Sequence, residues 1–237
     1  MTLSPAGTTL WRMDEIAPGI FALSGLKMGR SYLVEGEGGV ALVDTSTANA
    51  SERIVASIEQ AGHRVEDLHT IVATHYHYDH TGNAATLIER SGAQLCLHAD
   101  DAPYVDGRLP WRAAQSPFHI LDKMGPKPFN LRVDRILHDG DVLPFAGGVQ
   151  VIHAPGHTPG HIALYSQERR VLFAGDALMN TAGLHLPLSM SSHDMDAARA
   201  SVRRLAELDF DIALPGHGTP IIGRANEKIA DWAKAWL

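Results

Sequence analysis

Apolar positions along the chain alternate between two periods. Short apolar runs of strand length, bounded by glycine, fill the first third at residues 19–23, 31–35 and 40–44, and Gly36 through Gly39 reads as a hairpin turn. Ile54, Val55, Ile58 and Ala61 then recur at helical spacing, and Gly62 stops that helix. A β-rich run over 70–74 follows. After it come a helix over 82–90 with Leu87 and Ile88 facing inward, a stop at Gly92 and a strand over 94–98. Strands return at 149–153, 162–166 and 171–174. Asp194 is placed to cap a helix running to about residue 208 with Met195, Ala198, Val202, Leu205 and Leu208 on its inner face. A brief strand at 211–214 and a helix over about 224–236 complete the pattern.

Residues 100–135 break this rhythm. They hold Pro103, Pro110, Pro117, Pro126 and Pro128 together with Tyr104, Trp111, Phe118, Met124 and Phe129. A segment so broken by proline cannot be one long helix, and its apolar side chains suit either a lid over a pocket or a packed surface loop. The lid is the reading taken here, with Trp111 and Phe118 as pocket residues. Strands and helices mixed through both halves predict an α/β chain, sheets with helices outside. Without repeat, low-complexity tract or linker, residues 1–237 read as a single domain carrying an insert at about 100–135.

Composition narrows the function classes. The chain is 45% hydrophobic and 20% charged, ordinary for a globular protein, and its net charge of −7 gives no footprint for nucleic acid. Arg199, Arg203 and Arg204 lie at helical spacing beside Glu207 and read as a solvated face. Cys96 is the only cysteine, so neither an internal disulfide nor a thiolate metal cluster can form. No apolar run approaches membrane-span length, and the first residues lack a basic start and an apolar stretch. A cytoplasmic protein without a membrane partner is expected, as a monomer or a homodimer.

The candidate chemistry begins at His75-Tyr-His77-Tyr-Asp79-His80, three imidazoles and a carboxylate directly after an apolar strand. Imidazole with carboxylate suits zinc and its borderline-soft neighbours. Three more segments place a polar ligand beside glycine: Pro155-Gly-His157-Thr-Pro-Gly-His161, Ala174-Gly-Asp176-Ala and Leu214-Pro-Gly-His217-Gly218. One zinc ion takes about four ligands, so this supply exceeds what a single ion needs. It fits two ions sharing a carboxylate, as in two-metal hydrolytic sites.

These motifs, in this order over about residues 32–218, resemble the metallo-β-lactamase-fold superfamily. The resemblance implies a four-layer αββα sandwich of two mixed β-sheets with metals at one edge. It implies a first metal on His75, His77 and His157, a second on Asp79, His80 and His217, and Asp176 bridging, with two Zn2+ per chain or Fe, Mn or Co in their place. Asp44, at the end of Ala41-Leu-Val-Asp44-Thr45-Ser46, matches the family's first motif and would orient ligands from behind. His161 is expected to bond backbone at its strand start, His153 to pack in a strand, and His185 and His193 to lie exposed, with a substrate contact as their second reading.

The resemblance also implies a hydrolase using a hydroxide held between the ions, with Asp79 handing a proton to the leaving group. Asp176 is a carboxylate where zinc β-lactamases lack the bridging acid, which counts against a β-lactamase. About 19 residues follow Gly218, less than the glutathione-binding helical region of glyoxalase II. The Gly-Cys-Gly-Arg segment of the mononuclear iron persulfide dioxygenases is missing after Asp176, and the exosite arm of the tRNA-processing nucleases is not visible. Lactonases of the superfamily share Pro-Gly-His-x-Pro-Gly-His but place Tyr where this chain has Met179. A lactone or ester hydrolase with a small-molecule substrate is the expectation. The alternatives are a thioester hydrolase of glyoxalase II type, a β-lactamase, phosphodiesterase or persulfide dioxygenase, and, without turnover, a metal-stabilised binding domain.

Overall fold

The computed structural model describes residues 13–110 and 130–236. Seven strands form the first sheet in sequence order: β1 (Met13–Ala17), β2 (Ile20–Leu23), β3 (Tyr32–Gly36), β4 (Gly39–Val43), β5 (Leu68–Val72), β6 (Gln94–His98) and β7 (Arg135–Leu137). The first four pair antiparallel, and β4 through β7 pair parallel. Each parallel crossover needs a connection over one face. Helices α1 (Ser51–Gln60), α2 (Tyr78–Thr81), α3 (Ala84–Ser91) and α4 (Ala102–Val105) lie in these connections.

The second sheet is built from β8 (Val142–Leu143), β9 (Val149–His153), β10 (Ile162–Ser166) and β11 (Val171–Gly175), joined later in the chain by two more strands. A small hairpin, β12 (Met179–Asn180) with β13 (Leu184–His185), precedes α5 (Met195–Ala206). Then come β14 (Ile212–Pro215), β15 (Ile221–Ile222) and α6 (Ala225–Ala233). The spatial order is β15-β14-β11-β10-β9-β8, and only β11 and β14 pair parallel.

Period-two alternation separates three cores. Tyr32, Val34, Ala41 and Val43 face Val151, Leu164, Phe173 and Leu214 between the sheets. Their strand neighbours Leu33, Val40 and Leu42 point the other way, onto Ile54, Val55 and Ile58 of α1 and Leu87 of α3. Across the molecule Ile152, Ala163, Leu172 and Ala213 meet Val202 and Leu205 of α5 and Ile229 of α6. The result is the expected αββα sandwich. Each fully buried Leu or Ile side chain stabilises it by roughly 1.5–3 kcal/mol.

Several elements differ from the sequence pattern. The helix expected over 82–90 forms as α3 with its stop at Gly92, and a separate helical turn, α2, precedes it; between the two, Gly82 packs so closely that a Cβ would stand 2.6 Å from Ala48 N. Strands β1, β7, β8, β12, β13 and β15 gave no clear signal, being short, edge-placed or partly exposed. The cap at Asp194 is as expected: its carboxylate accepts the Asp196 and Ala197 amides at 2.9 Å, worth about 1 kcal/mol. Arg204 is more than a solvated side chain, since it grips Asp139 and the His153 carbonyl.

The stretch at 100–135 is scaffold at both ends. Val105 is buried in the outer core, Leu131 and Val133 pack against it, and Arg135 begins β7. Tyr104, read as apolar lid surface, instead stacks on Tyr76 with ring centroids 4.3 Å apart. Trp111, Phe118, Met124 and Phe129 lie outside the described residues.

Candidate metal centre

Parallel pairing brings the functional loops to one edge. β4 and β5 run together and end at Asp44 and at the loop 74–80; β11 and β14 run together and end at Asp176 and His217. The loop between β9 and β10 brings His157, and the amide of Ile162 bonds to the Thr74 carbonyl across the sheets at 2.9 Å. Loops at the carboxyl ends of parallel strands are where fixed side chains can converge.

Ligand atoms of His75, His77 and His157 lie within 4.8 Å of one another, as do those of Asp79, His80 and His217, and those of His75, His80 and Asp176. Asp176 stands between the groups. Its Oδ2 is 3.4 Å from His157 Nε2 and 3.3 Å from His217 Nε2, and its Oδ1 is 3.5 Å from His80 Nε2. The three rings of the first group meet near perpendicular, at 78°, 78° and 89°, so their lone pairs can converge on one point.

Hydrogen bonds fix which nitrogen faces inward. Thr74 gives its amide and its hydroxyl to Asp44, at 2.7 and 2.9 Å. With its only hydroxyl proton committed, Thr74 accepts from His75 Nδ1 at 3.0 Å. His80 Nδ1 donates directly to Asp44 at 2.8 Å. His157 Nδ1 meets Ser192 Oγ at 3.2 Å, and that hydroxyl donates onward to the Leu188 carbonyl. In His75 and His157 the relay leaves Nε2 bare, and in His80 it turns Nε2 toward His217 Nε2, 3.3 Å away.

Among the described residues, buried His75 Nε2, His157 Nε2 and Asp176 Oδ1 find no hydrogen-bond partner. Orphaned buried acceptors are costly unless something else satisfies them. A divalent cation would satisfy them, and the set of nitrogen and carboxylate donors suits zinc or a similar ion.

The charges agree. Burial drives the His75 and His157 imidazoles well below their usual range and His77 down to about 4, the neutral forms that bind metal. On the other side burial opposes protonation of His80, but Asp176, Asp44 and Asp79 raise it to about 9. Asp79 and Asp176 are held below the usual carboxylate range, burial notwithstanding, by the neighbouring His80 and His217. Gly216 permits the approach: a Cβ there would stand 2.1 Å from Asp176 Oδ1.

The seven residues read from the sequence as ligands are therefore brought together, with Asp44 behind them. Others take different places. His161 accepts the Asp176 amide at 2.8 Å through Nε2, so it bonds backbone as expected, but that of another strand end. His153 packs in β9, stacked on His98 at 4.2 Å. His185 is half-buried rather than exposed, with one ring nitrogen on Thr181 Oγ1 and the other on the Leu186 carbonyl. His193 is also half-buried and meets Tyr76 Oη at 3.0 Å. Met179 sits on β12, half-buried, beside Asn180, whose amide bonds the His217 carbonyl.

A fourth group, His98, Asp100 and His153, has ligand atoms equally close. Its two imidazoles are nearly parallel, 7° apart, so their in-plane lone pairs cannot meet at one ion. Sequence reading missed Thr74, Ser192 and Asp101. Ser192 lies 35 residues from the histidine it supports, and no local pattern marks such a pair.

A family model described as the metallo-beta-lactamase superfamily matches residues 24–217. An N-acyl homoserine lactonase from Bacillus sp is 28% identical over 203 residues, 75% of this chain and 74% of that protein. The hydroxyacylglutathione hydrolase GloC of Haemophilus influenzae is 27% identical over 204 residues, 84% of this chain and 90% of that protein. Among solved structures, the metallo-beta-lactamase family protein TTHA1429 from Thermus thermophilus superposes with a TM-score of 0.73 at 26% identity, covering 93% of this chain and 81% of that one.

Proposed function

The chain belongs to the metallo-beta-lactamase superfamily, as a metallo-hydrolase, and on that footing we propose that it is a dinuclear zinc hydrolase of a small carbonyl ester, a lactone first. One observation carries the dinuclear reading: the Asp176 carboxylate lies within 3.5 Å of both His157 and His80. His75, His77 and His157 would hold one ion and Asp79, His80 and His217 the other, with Asp176 between them. Two such ions, when bound, supply a nucleophile from water near neutral pH and polarise the substrate carbonyl.

The chain's own residues supply orientation and proton transfer. Asp44 and Ser192 hold imidazoles in the tautomer a ligand needs. Asp79 has a side chain 23% exposed, against 3% for Asp176, so it is the carboxylate that reaches substrate. An ionised Asp79 can accept a proton and return it to the departing alkoxide. His217, 18% exposed, lies 3.1 Å from it on the same open side. Trp111 and Phe118 are proposed as apolar walls for the remainder of the substrate, on the sequence pattern alone.

The likeness to the lactonase supports a lactone, and Met179 in place of tyrosine counts against an acyl-homoserine lactone in particular. The likeness to GloC over 90% of its length supports a thioester as the second reading, because length does not separate the two relatives. Zinc-loaded protein assayed on a panel of lactones, aryl esters, glutathione thioesters, phosphodiesters and β-lactams decides. The proposal expects the highest kcat/KM on a lactone or ester. A thioester preferred by more than about tenfold, a factor worth 1.4 kcal/mol in the transition state, would overturn it.

A further inference from the structure

Asp101 is a wholly buried carboxylate outside the metal centre. Among the described residues no Lys or Arg side chain pairs with it. It accepts three hydrogen bonds instead: Thr158 Oγ1 at 2.6 Å and Tyr76 N at 3.1 Å on Oδ2, and Gly160 N at 2.7 Å on Oδ1. Burying a carboxylate without a cation is costly: burial pushes Asp101 up to about 7, and the three donors offset that only in part.

The donors belong to the two loops that carry the three-histidine group. Tyr76 lies between His75 and His77, and Thr158 directly follows His157. The loops arise from different sheets, one after β5 and one after β9. Asp101 is the side chain that ties one to the other. Gly160 fits the same account: a Cβ there would stand 2.7 Å from Asp101 Oδ1. In the stretch His157-Thr-Pro-Gly-His161, Thr158 and Gly160 thus face the carboxylate rather than the metal centre. Tyr76 is held further by Tyr104, stacked on its ring, and by His193 at its hydroxyl.

We propose that Asp101 is a positioning residue that sets the spacing of His75, His77 and His157 and so the affinity of the first metal. This rests on the metal-centre reading above. Asparagine at 101 keeps the shape but offers one acceptor oxygen where three donors converge. Valine at 158 removes one donor and keeps the volume.

The test measures zinc affinity by competition with a chromogenic chelator, in His217→Ala protein, which leaves the three-histidine group complete, and in His157→Ala protein, which leaves the other. In the first background Asp101→Asn should weaken zinc binding about 10–100-fold, the usual cost of losing a residue that orients ligands. Thr158→Val should weaken it about threefold or more, and the double variant should be no worse than Asp101→Asn, because both remove one interaction. In the second background the change should stay under about threefold. Circular dichroism counts only folded protein; if Asp101→Asn does not fold, Thr158→Val carries the test. Equal weakening in both backgrounds, or none in either, overturns the positioning role. Otherwise unmodified protein that fails to bind two ions overturns the metal-centre reading instead, so the two failures are distinguishable.

Discussion

Asp44 and His80 form a buried pair, Oδ2 2.8 Å from Nδ1, that joins the end of β4 to the helical turn α2. The same carboxylate holds Thr74, and through it His75, so one side chain orients a ligand of each proposed ion. Asp44 sits at φ 59°, a left-handed conformation that asparagine tolerates well among non-glycine residues. Asp44→Asn should therefore keep the backbone while weakening the support of both histidines. Zinc affinity should fall about 10–100-fold in chelator competition. Unchanged affinity would mean that the pair serves folding only.

Asp176→Ala should cost far more than His185→Ala. Asp176 lies between the two groups, whereas both His185 nitrogens are already engaged with Thr181 and Leu186. At saturating zinc, kcat/KM should drop by about 100-fold or more for the first and by less than about threefold for the second. Equal losses would place His185 against the substrate.

Metal uptake should release protons. In the metal-free chain burial opposes charge on both rings, but Asp176, Asp44 and Asp79 carry His80 to about 9, and Asp176 and Asp79 carry His217 to about 10. Both are then protonated at pH 8, and zinc must displace what it replaces, about two protons per chain from these rings, beside any that metal-bound water gives up. A weakly buffered zinc titration with an indicator dye reads this directly, and release near zero would contradict the assignment. Both values lie above the ordinary 6.5, so these pairs stabilise the metal-free fold in full below that pH. The contribution disappears as pH rises through 9 and 10. The melting temperature of metal-free protein should fall over that range.

Gly216→Ala probes the close packing behind the centre. The new Cβ would stand 2.1 Å from Asp176 Oδ1 and 2.7 Å from His80 Cε1, and both belong to buried residues with little room to give. We expect a loss of about 1–3 kcal/mol in denaturant titrations together with reduced zinc content. Wild-type zinc content would show that the strand end can shift.

Much of the site was legible because its ligands come in short clusters. His75, His77, Asp79 and His80 span six residues, and His157, Asp176 and His217 each stand beside glycine at a strand end. Strand and helix periods were equally plain where a face is buried, as over β6, β9 and β10, whose bounds match the pattern residue for residue. Local chemistry therefore marked the ligand motifs and period marked the buried strands and helices, while the family and the four layers were what the resemblance of those motifs implied.

What the sequence could not specify is what depends on distant pairing. The edge strands β7 and β15 have too few buried positions to declare a period, and exist because a neighbouring strand completes their hydrogen bonds. The tautomer of His157 is set by Ser192, 35 residues away, and the spacing of the two histidine loops by Asp101, 25 residues from Tyr76 and 57 from Thr158. A hydrogen bond leaves no periodic trace in either partner's neighbourhood. Its energy depends on distance and angle in three dimensions, and only the packed sheets bring those partners within reach.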